Sequence, residues 1–341
     1  MNILVTGGAG YIGSHCCKAL AACGHHPVVF DSLVKGRREN VRWGEFVLGD
    51  IGDPEALERC FERHRIDAVM HFAAFIEVGE SVADPLAYYA NNVGGTLQLL
   101  RAVHRRGVRI FVFSSSAAAY GTPERVPIEE DHPLGPLSPY GWTKRMMEAM
   151  LEDFGRAYGL RWAALRYFNA AGADRSADIG EAHDPESHLI PRVLDAAIAG
   201  RPIEVFGGDY PTPDGTCIRD YVHVSDLATA HVTALERLAA GGPSGPINLG
   251  QGRGYSVMEV IRAAEEVTGM PIPVRLVGRR PGDASALVAS NRKAREVLGW
   301  TPQESGLDHI LRTAWAWHRK LRGLGAADEL SAHPQTKTRR P

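Results

Sequence analysis

A short β-branched segment followed at once by closely spaced glycines constrains the fold of this chain more than any other feature. Residues Asn2–Thr6 have the composition of a strand, and the apolar positions from Ile12 to Cys23 recur with helical spacing. Between them stand Gly7, Gly10 and Gly13. Glycines at such positions let the backbone approach a pyrophosphate at the N-terminus of the helix, where free N–H groups and the helix dipole favour anions. The segment predicts the opening of a dinucleotide-binding fold.

An acidic residue ends the second apolar segment. Val28–Phe30 is strand-like and is followed by Asp31, close to the interval of about 20 residues at which an acid binds the adenosine ribose in such folds. An acid there favours NAD over NADP. The basic residues Lys35, Arg37 and Arg38 oppose this preference, because they could neutralise a 2′-phosphate. NAD is the cofactor we expect.

Further strand-like segments alternate with helix-like segments. The strands are expected at Phe46–Leu48, Ala68–Met70, Ile110–Phe113 and Trp162–Leu165, separated by helical stretches such as Pro54–His64 and Asn92–Arg106. This order predicts an α/β fold with a Rossmann-like, doubly wound parallel sheet and a smaller C-terminal substrate-binding domain. Asp50, Phe72 and Ser114 come just after strand ends, on the side of the sheet where ligands bind in such folds.

The length of the chain, 341 residues, exceeds that of a typical single domain, and the pattern becomes less regular after Arg166. We expect an NAD-binding Rossmann domain at 1–168 plus about 217–242. The substrate-binding domain is expected at 169–216 plus about 243–325. Residues 326–341 are polar and basic and are expected to form a disordered tail.

Composition excludes several classes of protein. A formal charge of −2 gives no reason to expect nucleic acid or a membrane surface as partner. The five cysteines include no C-x-x-C pair, so neither a disulfide framework nor a zinc–thiolate site is indicated. His183 and His188 lack the spacing of metal ligands, and we interpret His183 as a loop residue. No metal is expected, and the location expected is cytoplasmic.

Two residues four positions apart suggest the chemistry. Ser138 and Pro139 are a good N-cap and first residue for a helix that would carry Tyr140 and Lys144 on one face. A free tyrosine has a pKa of about 10, so a phenolate base near neutral pH needs a pKa that is lower by about three. Two cations, the Lys144 ammonium and an oxidised nicotinamide, could lower it. A surface tyrosine beside an exposed lysine is the alternative when the pair is considered alone.

Motifs distributed over the chain carry a resemblance to a known family. They are Thr6-Gly-Gly-Ala-Gly-Tyr-Ile-Gly-Ser14, His71-Phe-Ala-Ala74, Asn91-Asn92, Phe113-Ser-Ser-Ser116, Ser138-Pro-Tyr140, Arg166-Tyr-Phe-Asn169, Arg219-Asp-Tyr221 and Arg279-Arg-Pro-Gly-Asp283. With these motifs the chain resembles the extended short-chain dehydrogenase/reductase family to about Arg322, and within it the 4-epimerases of UDP-hexoses. The resemblance implies NAD-dependent, reversible 4-epimerisation of UDP-galactose and UDP-glucose through a 4-ketopyranose.

The resemblance also implies roles for individual residues. Ser116, Tyr140 and Lys144 would be catalytic: the phenolate would take the proton of the sugar 4-hydroxyl, the serine would hydrogen-bond the same oxygen, and the lysine would hold the phenolate and the nicotinamide ribose. Arg219 and Arg280 would clamp the diphosphate of the substrate. A homodimer is implied as well, through the helices expected at 92–106 and 139–158.

The complete sets implied by the resemblance are larger. The cofactor would contact Gly7, Gly10, Tyr11, Ile12, Gly13, Asp31, Asp50, Ile51, Phe72, Ala73, Ala74, Asn91, Ser114, Tyr140, Lys144, Tyr167 and Phe168. The UDP-hexose would contact Ser116, Tyr140, Asn169, His188, Leu189, Phe206, Arg219, Arg280, Asp283 and Leu287.

Departures from relatives bear on the reaction and the substrate. Ala117 and Ala118 stand where sugar-nucleotide dehydratases have an Asp-Glu pair, so elimination lacks its acid. Cys217 has no evident activating base, which argues against a net dehydrogenase. Ile76 replaces a lysine that some relatives place near the diphosphate. Leu287 replaces a tyrosine of some epimerases, which leaves room for the N-acetylhexosamine pair.

Other functions stay open at this point. The chain could be a 4-epimerase for UDP-xylose and UDP-arabinose, or for UDP-glucuronate and UDP-galacturonate. A non-catalytic dinucleotide-sensing regulator on the same fold is the alternative outside the enzymes.

Overall fold

The structure is a computed structural model that describes residues 1–280 and 283–324. Its strands are β1 (Asn2–Thr6), β2 (His26–Asp31), β3 (Glu45–Leu48), β4 (Ala68–His71), β5 (Ile110–Ser116), β6 (Arg161–Tyr167), β7 (Asn169–Ala171), β8 (Ile203–Phe206), β9 (Ile218–Arg219), β10 (Tyr221–His223), β11 (Gly245–Leu249), β12 (Tyr255–Ser256), β13 (Val274–Val277) and β14 (Ala286–Leu287). Its α-helices are α1 (Tyr11–Ala22), α2 (Pro54–Arg63), α3 (Val78–Ala83), α4 (Pro85–Tyr88), α5 (Gly95–Arg105), α6 (Pro139–Tyr158), α7 (Leu189–Ala199), α8 (Val224–Ala239), α9 (Val257–Thr268) and α10 (Leu307–Leu321).

Seven parallel strands form the main sheet, in the order β11-β6-β5-β4-β1-β2-β3. Strands such as β4 are buried on both faces because helices cover each side. On one face Leu20 of α1 and Leu235 of α8 lie in the core. On the other, Leu57 of α2, Leu99 of α5 and Met147 of α6 do. The predicted Rossmann-like, doubly wound α/β fold is confirmed.

The order of the strands reverses beside β1. The chain passes from β1 outward to β2 and β3, and then returns to β4 on the other side of β1. In open α/β sheets, ligands bind in a crevice at the carboxyl ends of the strands beside such a reversal, which here are β1 and β4.

A second apolar cluster lies beyond the main sheet. Helices α7, α9 and α10 bury Leu194, Val260 and Ile310 against one another. The strands of this region form small sheets, among them the parallel pair β8 and β13 and the group β12-β9-β14. The segments that precede and follow α8 in the chain therefore form a second apolar core, smaller than that of the main sheet, as expected for a second domain.

One boundary of the predicted domains differs from the structure. The sequence predicted that residues from about 243 onward belong to the substrate-binding domain. In the structure, however, β11 is the edge strand of the main sheet and pairs with β6. Its side chains Ile247 and Leu249 are buried in the same core as α8, which explains the placement. The other boundaries stay predictions, and the tail expected at 326–341 lies outside the described residues.

None of the helices in the described ranges is long and apolar enough to span a bilayer.

Candidate active site

The glycine loop packs tightly between β1 and α1. Gly7 has a φ of 73°, and a Cβ on it would lie 2.6 Å from the backbone nitrogen of Ala73, after β4. A Cβ on Gly13 would lie 2.3 Å from the Gly7 carbonyl oxygen. Gly10 is the N-cap of α1 and brings no side chain to the first turn. The N–H groups of that turn are therefore available to an anion such as a pyrophosphate.

Asp31 stands at the end of β2 and faces this loop. Its carboxylate accepts hydrogen bonds from the backbone N–H groups of Ala9 at 2.9 Å and Leu33 at 2.8 Å. Burial raises its pKa, although these two hydrogen bonds oppose the shift. A carboxylate can accept about four hydrogen bonds, so Asp31 keeps acceptor capacity for a ribose hydroxyl.

The other residues expected at the cofactor come from several elements. Phe72, Ala73 and Ala74 follow β4 directly. Ile51 is buried, and the Asp50 carboxylate accepts from the N–H of Gly52 at 2.7 Å. Farther along the sheet, Ser114 hydrogen-bonds the Tyr167 hydroxyl, Asn91 donates to the Asn92 side chain at 2.9 Å, and Phe168 packs in a small apolar cluster.

Two of the predicted cofactor contacts, Tyr11 and Ile12, have side chains with other partners, and that of Ile12 packs against the main core. Tyr11 donates its hydroxyl to the carbonyl of Gly172 at 2.6 Å, so its ring ties the glycine loop to the segment after β7. Burial raises the pKa of that phenol well above its ordinary value. A contact from Tyr11 or Ile12 to a cofactor would therefore come from the backbone of the first helical turn.

Ser116, Tyr140 and Lys144 meet at the carboxyl end of β5. Ser138 caps α6 by accepting from the N–H of Gly141 at 3.2 Å, as expected, and this fixes the start of the helix. The Lys144 ammonium donates to the Ser114 carbonyl at 2.8 Å and lies 5.7 Å from the centroid of the Tyr140 ring. Ser116 is the side chain that acts on the Tyr140 phenol as a hydrogen-bonding neighbour and lowers its pKa. The arrangement matches the geometry that a phenolate base, its oxygen partner and a neighbouring cation require.

Burial shifts the pKa values of Tyr140 and Lys144 in the directions that favour their neutral forms. It raises the pKa of Tyr140 to about 12, against the hydrogen bond to Ser116, and Glu77 raises it further. It lowers the pKa of Lys144 to about 7, with Glu148 opposing the shift. In the protein alone the phenol is therefore neutral, and the activation expected from Lys144 requires a further positive charge, as an oxidised nicotinamide would bring.

A buried ion pair behind Lys144 was missed by the sequence reasoning. The Glu148 carboxylate accepts from Arg166 at 2.6 and 2.8 Å and from the Ser115 hydroxyl at 2.6 Å, and both charged side chains are 3% exposed. Arg166 continues the network to the Tyr120 hydroxyl at 2.9 Å. The available signal was spacing, because Glu148 follows Lys144 by one further turn of α6.

Residues expected at the substrate come from several elements around the crevice. Asn169 donates its side-chain amide to the Asp220 carbonyl at 3.0 Å. Arg219 and Asp283, expected to bind different parts of the substrate, form an ion pair at 2.7 Å. The Arg280 guanidinium lies 3.9 Å from the centroid of the Phe206 ring. The guanidinium therefore stacks on one face of this aromatic ring.

Leu287 lies near the catalytic strand although it is far from it in sequence. It pairs with Arg219 across β14 and β9. Its side chain packs against the cluster of Ala117, Tyr120 and Ile128, in which Ala117 directly follows Ser116. The position is therefore suited to shape the space next to the catalytic serine.

His188, the N-cap residue of α7, lies in a group of ionisable residues just before Leu189. The group comprises Glu181, His183, Glu186 and His188, whose ligand atoms lie within 4.8 Å of one another. Sequence reasoning considered the two histidines alone and found no metal-ligand spacing. It missed the two glutamates, which complete an alternating Glu-x-His-x-x-Glu-x-His pattern.

Comparisons with known proteins identify the family of the chain. The NAD dependent epimerase/dehydratase family matches residues 3–250. The chain is 54% identical over 320 residues to a UDP-glucose 4-epimerase of Rhizobium leguminosarum bv. trifolii, covering 94% of this chain and 98% of the relative.

Two solved structures are similar over nearly their whole length. One is UDP-glucose 4-epimerase from Brucella ovis in complex with NAD, with 52% identity, a TM-score of 0.90 and coverage of 92% of this chain and 97% of that chain. The other is UDP-glucose 4-epimerase from Bifidobacterium longum in complex with NAD+ and UDP, with 38% identity, a TM-score of 0.89 and coverage of 95% and 100%. The chain belongs to the NAD dependent epimerase/dehydratase family, and the resemblance inferred from its sequence is confirmed.

Proposed function

We propose that this member of the epimerase/dehydratase family catalyses the reversible, NAD-dependent 4-epimerisation of UDP-galactose and UDP-glucose through a 4-ketopyranose. The observation that carries the proposal is the meeting of Ser116, Tyr140 and Lys144 beside the glycine loop. Ala117 and Ala118 follow the serine, so no acid stands there to expel a C6 hydroxyl as a dehydratase requires. The relatives at about half identity are UDP-glucose 4-epimerases.

The residues of the crevice fit NAD. Gly7 and Gly13 leave no room for a Cβ, which is what a close approach of backbone and pyrophosphate demands. Asp31 offers a carboxylate with remaining acceptor capacity, which suits a hydroxyl of the adenosine ribose. When bound, NAD supplies an acceptor that takes a hydride from sugar C4 and later returns it. Tight, non-exchanging binding of the cofactor is part of the proposal.

The side chains of the chain itself handle the proton. Tyr140 removes the proton of the 4-hydroxyl as C4 is oxidised and gives it back when C4 is reduced. Ser116, hydrogen-bonded to Tyr140, is placed to hold the same oxygen while its charge changes. Lys144 adds positive charge beside the phenol, and its hydrogen bond to the Ser114 carbonyl fixes its position. One base serving both directions is what a reversible epimerisation needs.

The sugar has to turn over between the two steps, so binding must come mainly from the nucleotide. Arg219 and Arg280 are suited to the diphosphate, because a guanidinium pairs with two of its oxygens. The ion pair of Arg219 with Asp283 would hold both side chains ready for the nucleotide. The Phe206 ring beside Arg280 offers an apolar face to the uracil.

We include the N-acetylhexosamine pair among the substrates. Leu287 packs next to Ala117 and presents less bulk than the tyrosine found in some relatives. Turnover restricted to the two hexoses at saturating substrate would refute this extension. A Leu287→Tyr variant should lose UDP-N-acetylgalactosamine turnover and keep that of UDP-galactose.

We further propose a cytoplasmic homodimer. Helices α5 and α6 leave Leu97, Trp142 and Met146 exposed, at 41%, 44% and 39% of their surface. Exposed apolar side chains on adjacent helices suit a contact with a second copy of the chain. Sedimentation of the wild type against a Trp142→Glu variant tests this, since a charge in that contact should yield monomers.

Proton NMR of the anomeric signals tests the main proposal. Purified protein is incubated with UDP-galactose without added NAD, and UDP-N-acetylgalactosamine is examined in parallel. Conversion to the gluco epimer is expected in the first tube, carried by resident cofactor. No change after NAD is supplied would refute the hexose assignment and direct testing to the UDP-pentoses and UDP-uronates.

A further inference from the structure

Four potential metal ligands converge in the segment between β7 and α7. Nδ1 of His183 lies 3.3 Å from Oε1 of Glu181, and Nδ1 of His188 lies 3.0 Å from the same oxygen. The two imidazole nitrogens lie 3.7 and 3.4 Å from the carboxylate oxygens of Glu186. A tetrahedral zinc site with bonds of about 2.0–2.2 Å has ligand atoms about 3.3–3.6 Å apart. The observed separations scatter around that value.

The hydrogen bonds within this group are incomplete. Nδ1 of His183 is buried and makes no hydrogen bond of good geometry among the described residues, even though Glu181 is close. The nearest carboxylate oxygens, on Glu181 and Glu186, lie 3.3 and 3.7 Å from this nitrogen. Such buried, unsatisfied nitrogens are uncommon and call for an explanation.

The surroundings orient the carboxylates. Oε1 of Glu186 accepts from the backbone N–H groups of Ser187 and His188, both at 2.9 Å. The backbone carbonyl of Glu181 accepts from the Trp317 indole at 2.7 Å, which anchors that residue to α10. Hydrogen bonds of this kind fix the ligands of metal sites in place.

We propose that Glu181, His183, Glu186 and His188 form a structural zinc site. Two imidazoles and two carboxylates are ligands that Zn²⁺ accepts, and four protein ligands close its tetrahedral shell. With both imidazoles neutral, the two carboxylates balance the charge of a divalent cation. His188 is 44% exposed, so the site is open to metal from solvent.

The metal would hold a loop that borders the active site. Ser187 within this loop donates to the Glu77 carboxylate at 2.5 Å, and Glu77 in turn raises the pKa of Tyr140. On the other side, the His183 ring packs edge-on against Tyr11 of the glycine loop at 6.3 Å. Zinc therefore ties together the segment that precedes α7 and contacts both the cofactor loop and the catalytic region.

A second group of potential metal ligands differs from this one in its hydrogen bonding. His223, Glu304 and His309 also place ligand atoms within 4.8 Å of one another. However, Nδ1 of His223 already accepts from the N–H of Ser225 at 3.1 Å, and its Nε2 is hydrogen-bonded to Thr313 at 3.0 Å. Because both nitrogens of His223 are engaged, this cluster is not expected to bind metal.

The test uses tag-free holoenzyme. Protein treated with EDTA is titrated with ZnCl₂ by calorimetry and, separately, with Co²⁺ by visible absorption. One ion per chain is expected, and the cobalt spectrum should show tetrahedral bands without thiolate charge transfer, which excludes binding by the exposed Cys23. Thermal unfolding of the same protein should occur at higher temperature when zinc is restored.

Matched variants locate the site. His183→Gln should weaken zinc binding by more than about 100-fold, since loss of an outer-shell partner alone costs 10- to 100-fold. His309→Gln, in the contrasting cluster, should bind zinc as the wild type does. Absence of zinc binding at pH 8, or equal binding by the His183 variant, would overturn the proposal and leave the group as an ion-pair cluster. Neither outcome depends on which UDP-sugar is turned over.

Discussion

Glu148→Gln is the substitution that most directly tests how the fold supports catalysis. The change removes the negative charge that faces Lys144 from the next turn of α6 and that neutralises Arg166 at 2.6 Å. Burial lowers the pKa of Lys144 to about 7, and Glu148 is the residue that opposes this shift. Without the carboxylate, the pKa of Lys144 should fall below 7.

The consequence is a displaced pH profile. If the pKa of Lys144 falls by one, its protonated fraction falls about ten-fold at pH values well above the original pKa. If the ammonium form is the active one, kcat/KM declines as pH rises through this pKa. The alkaline limb of the profile should therefore move to lower pH in the Glu148→Gln enzyme, and activity near pH 8 should fall about ten-fold for each pH unit that the limb moves.

Stability has to be separated from this electrostatic effect. Glu148→Gln leaves the Arg166 guanidinium buried with its charge uncompensated, which typically costs about 3–5 kcal/mol. The double variant Glu148→Gln/Arg166→Met removes both charges and should recover much of the loss. Because Lys144 still lacks its carboxylate, the alkaline limb should stay displaced in the double variant.

A matched control lies one turn farther along the helix. Glu152 is 45% exposed and pairs with Arg156, so Glu152→Gln should change neither the melting temperature nor the pH profile measurably. The assay is the rate of UDP-galactose conversion from pH 6 to 10, with melting temperatures from circular dichroism. A folded double variant with a wild-type alkaline limb would refute the reasoning.

Three further predictions address the base, the cofactor loop and acid stability. Tyr140→Phe should reduce turnover by at least about 100-fold while the purified protein retains NAD, whereas a dinucleotide sensor would be indifferent to the change. Gly13→Ala should lose resident NAD, measured by its absorbance after denaturation, because the added Cβ would lie 2.3 Å from the Gly7 carbonyl; NAD content equal to that of Tyr140→Phe would contradict this. Burial lowers the pKa of His71 to about 3 and that of His231 to about 4, so below about 6.5 the unfolded chain binds protons that the folded chain does not. Stability should therefore fall between pH 6.5 and 5 by up to about 2 kcal/mol per histidine, and His231→Leu should flatten the decline in melting temperature.

Local sequence determined much of the first domain. The strand, glycine loop and helix at the N-terminus could be predicted because each depends on neighbours in sequence: apolar periodicity, a residue free to adopt positive φ at Gly7, and a helix start. The same holds for α6, where Ser138 and Pro139 specify the first turn and thereby the shared face of Tyr140 and Lys144. Family resemblance added the reaction, which spacing alone would have left open.

Contacts between distant segments were decided only by the tertiary structure. Arg166 on β6 pairs with Glu148 on α6. Leu287, near the other end of the chain, packs against the cluster next to Ser116. Strand β11 pairs with β6 in the main sheet although many residues separate them in sequence. Spacing along α6 could mark Glu148 but not its partner Arg166, and no local pattern marks the other two contacts, because each depends on which surfaces the whole fold brings together.

The ionisation states of Tyr140 and Lys144 also depend on tertiary structure more than on local sequence. Sequence identified a tyrosine and a lysine one turn apart and suggested a lowered phenol pKa. Burial, which no local pattern reveals, instead raises the pKa of Tyr140 and lowers that of Lys144. Sequence thus determined which groups stand together on the helix, and the tertiary structure decided their charge, because desolvation depends on everything packed around them.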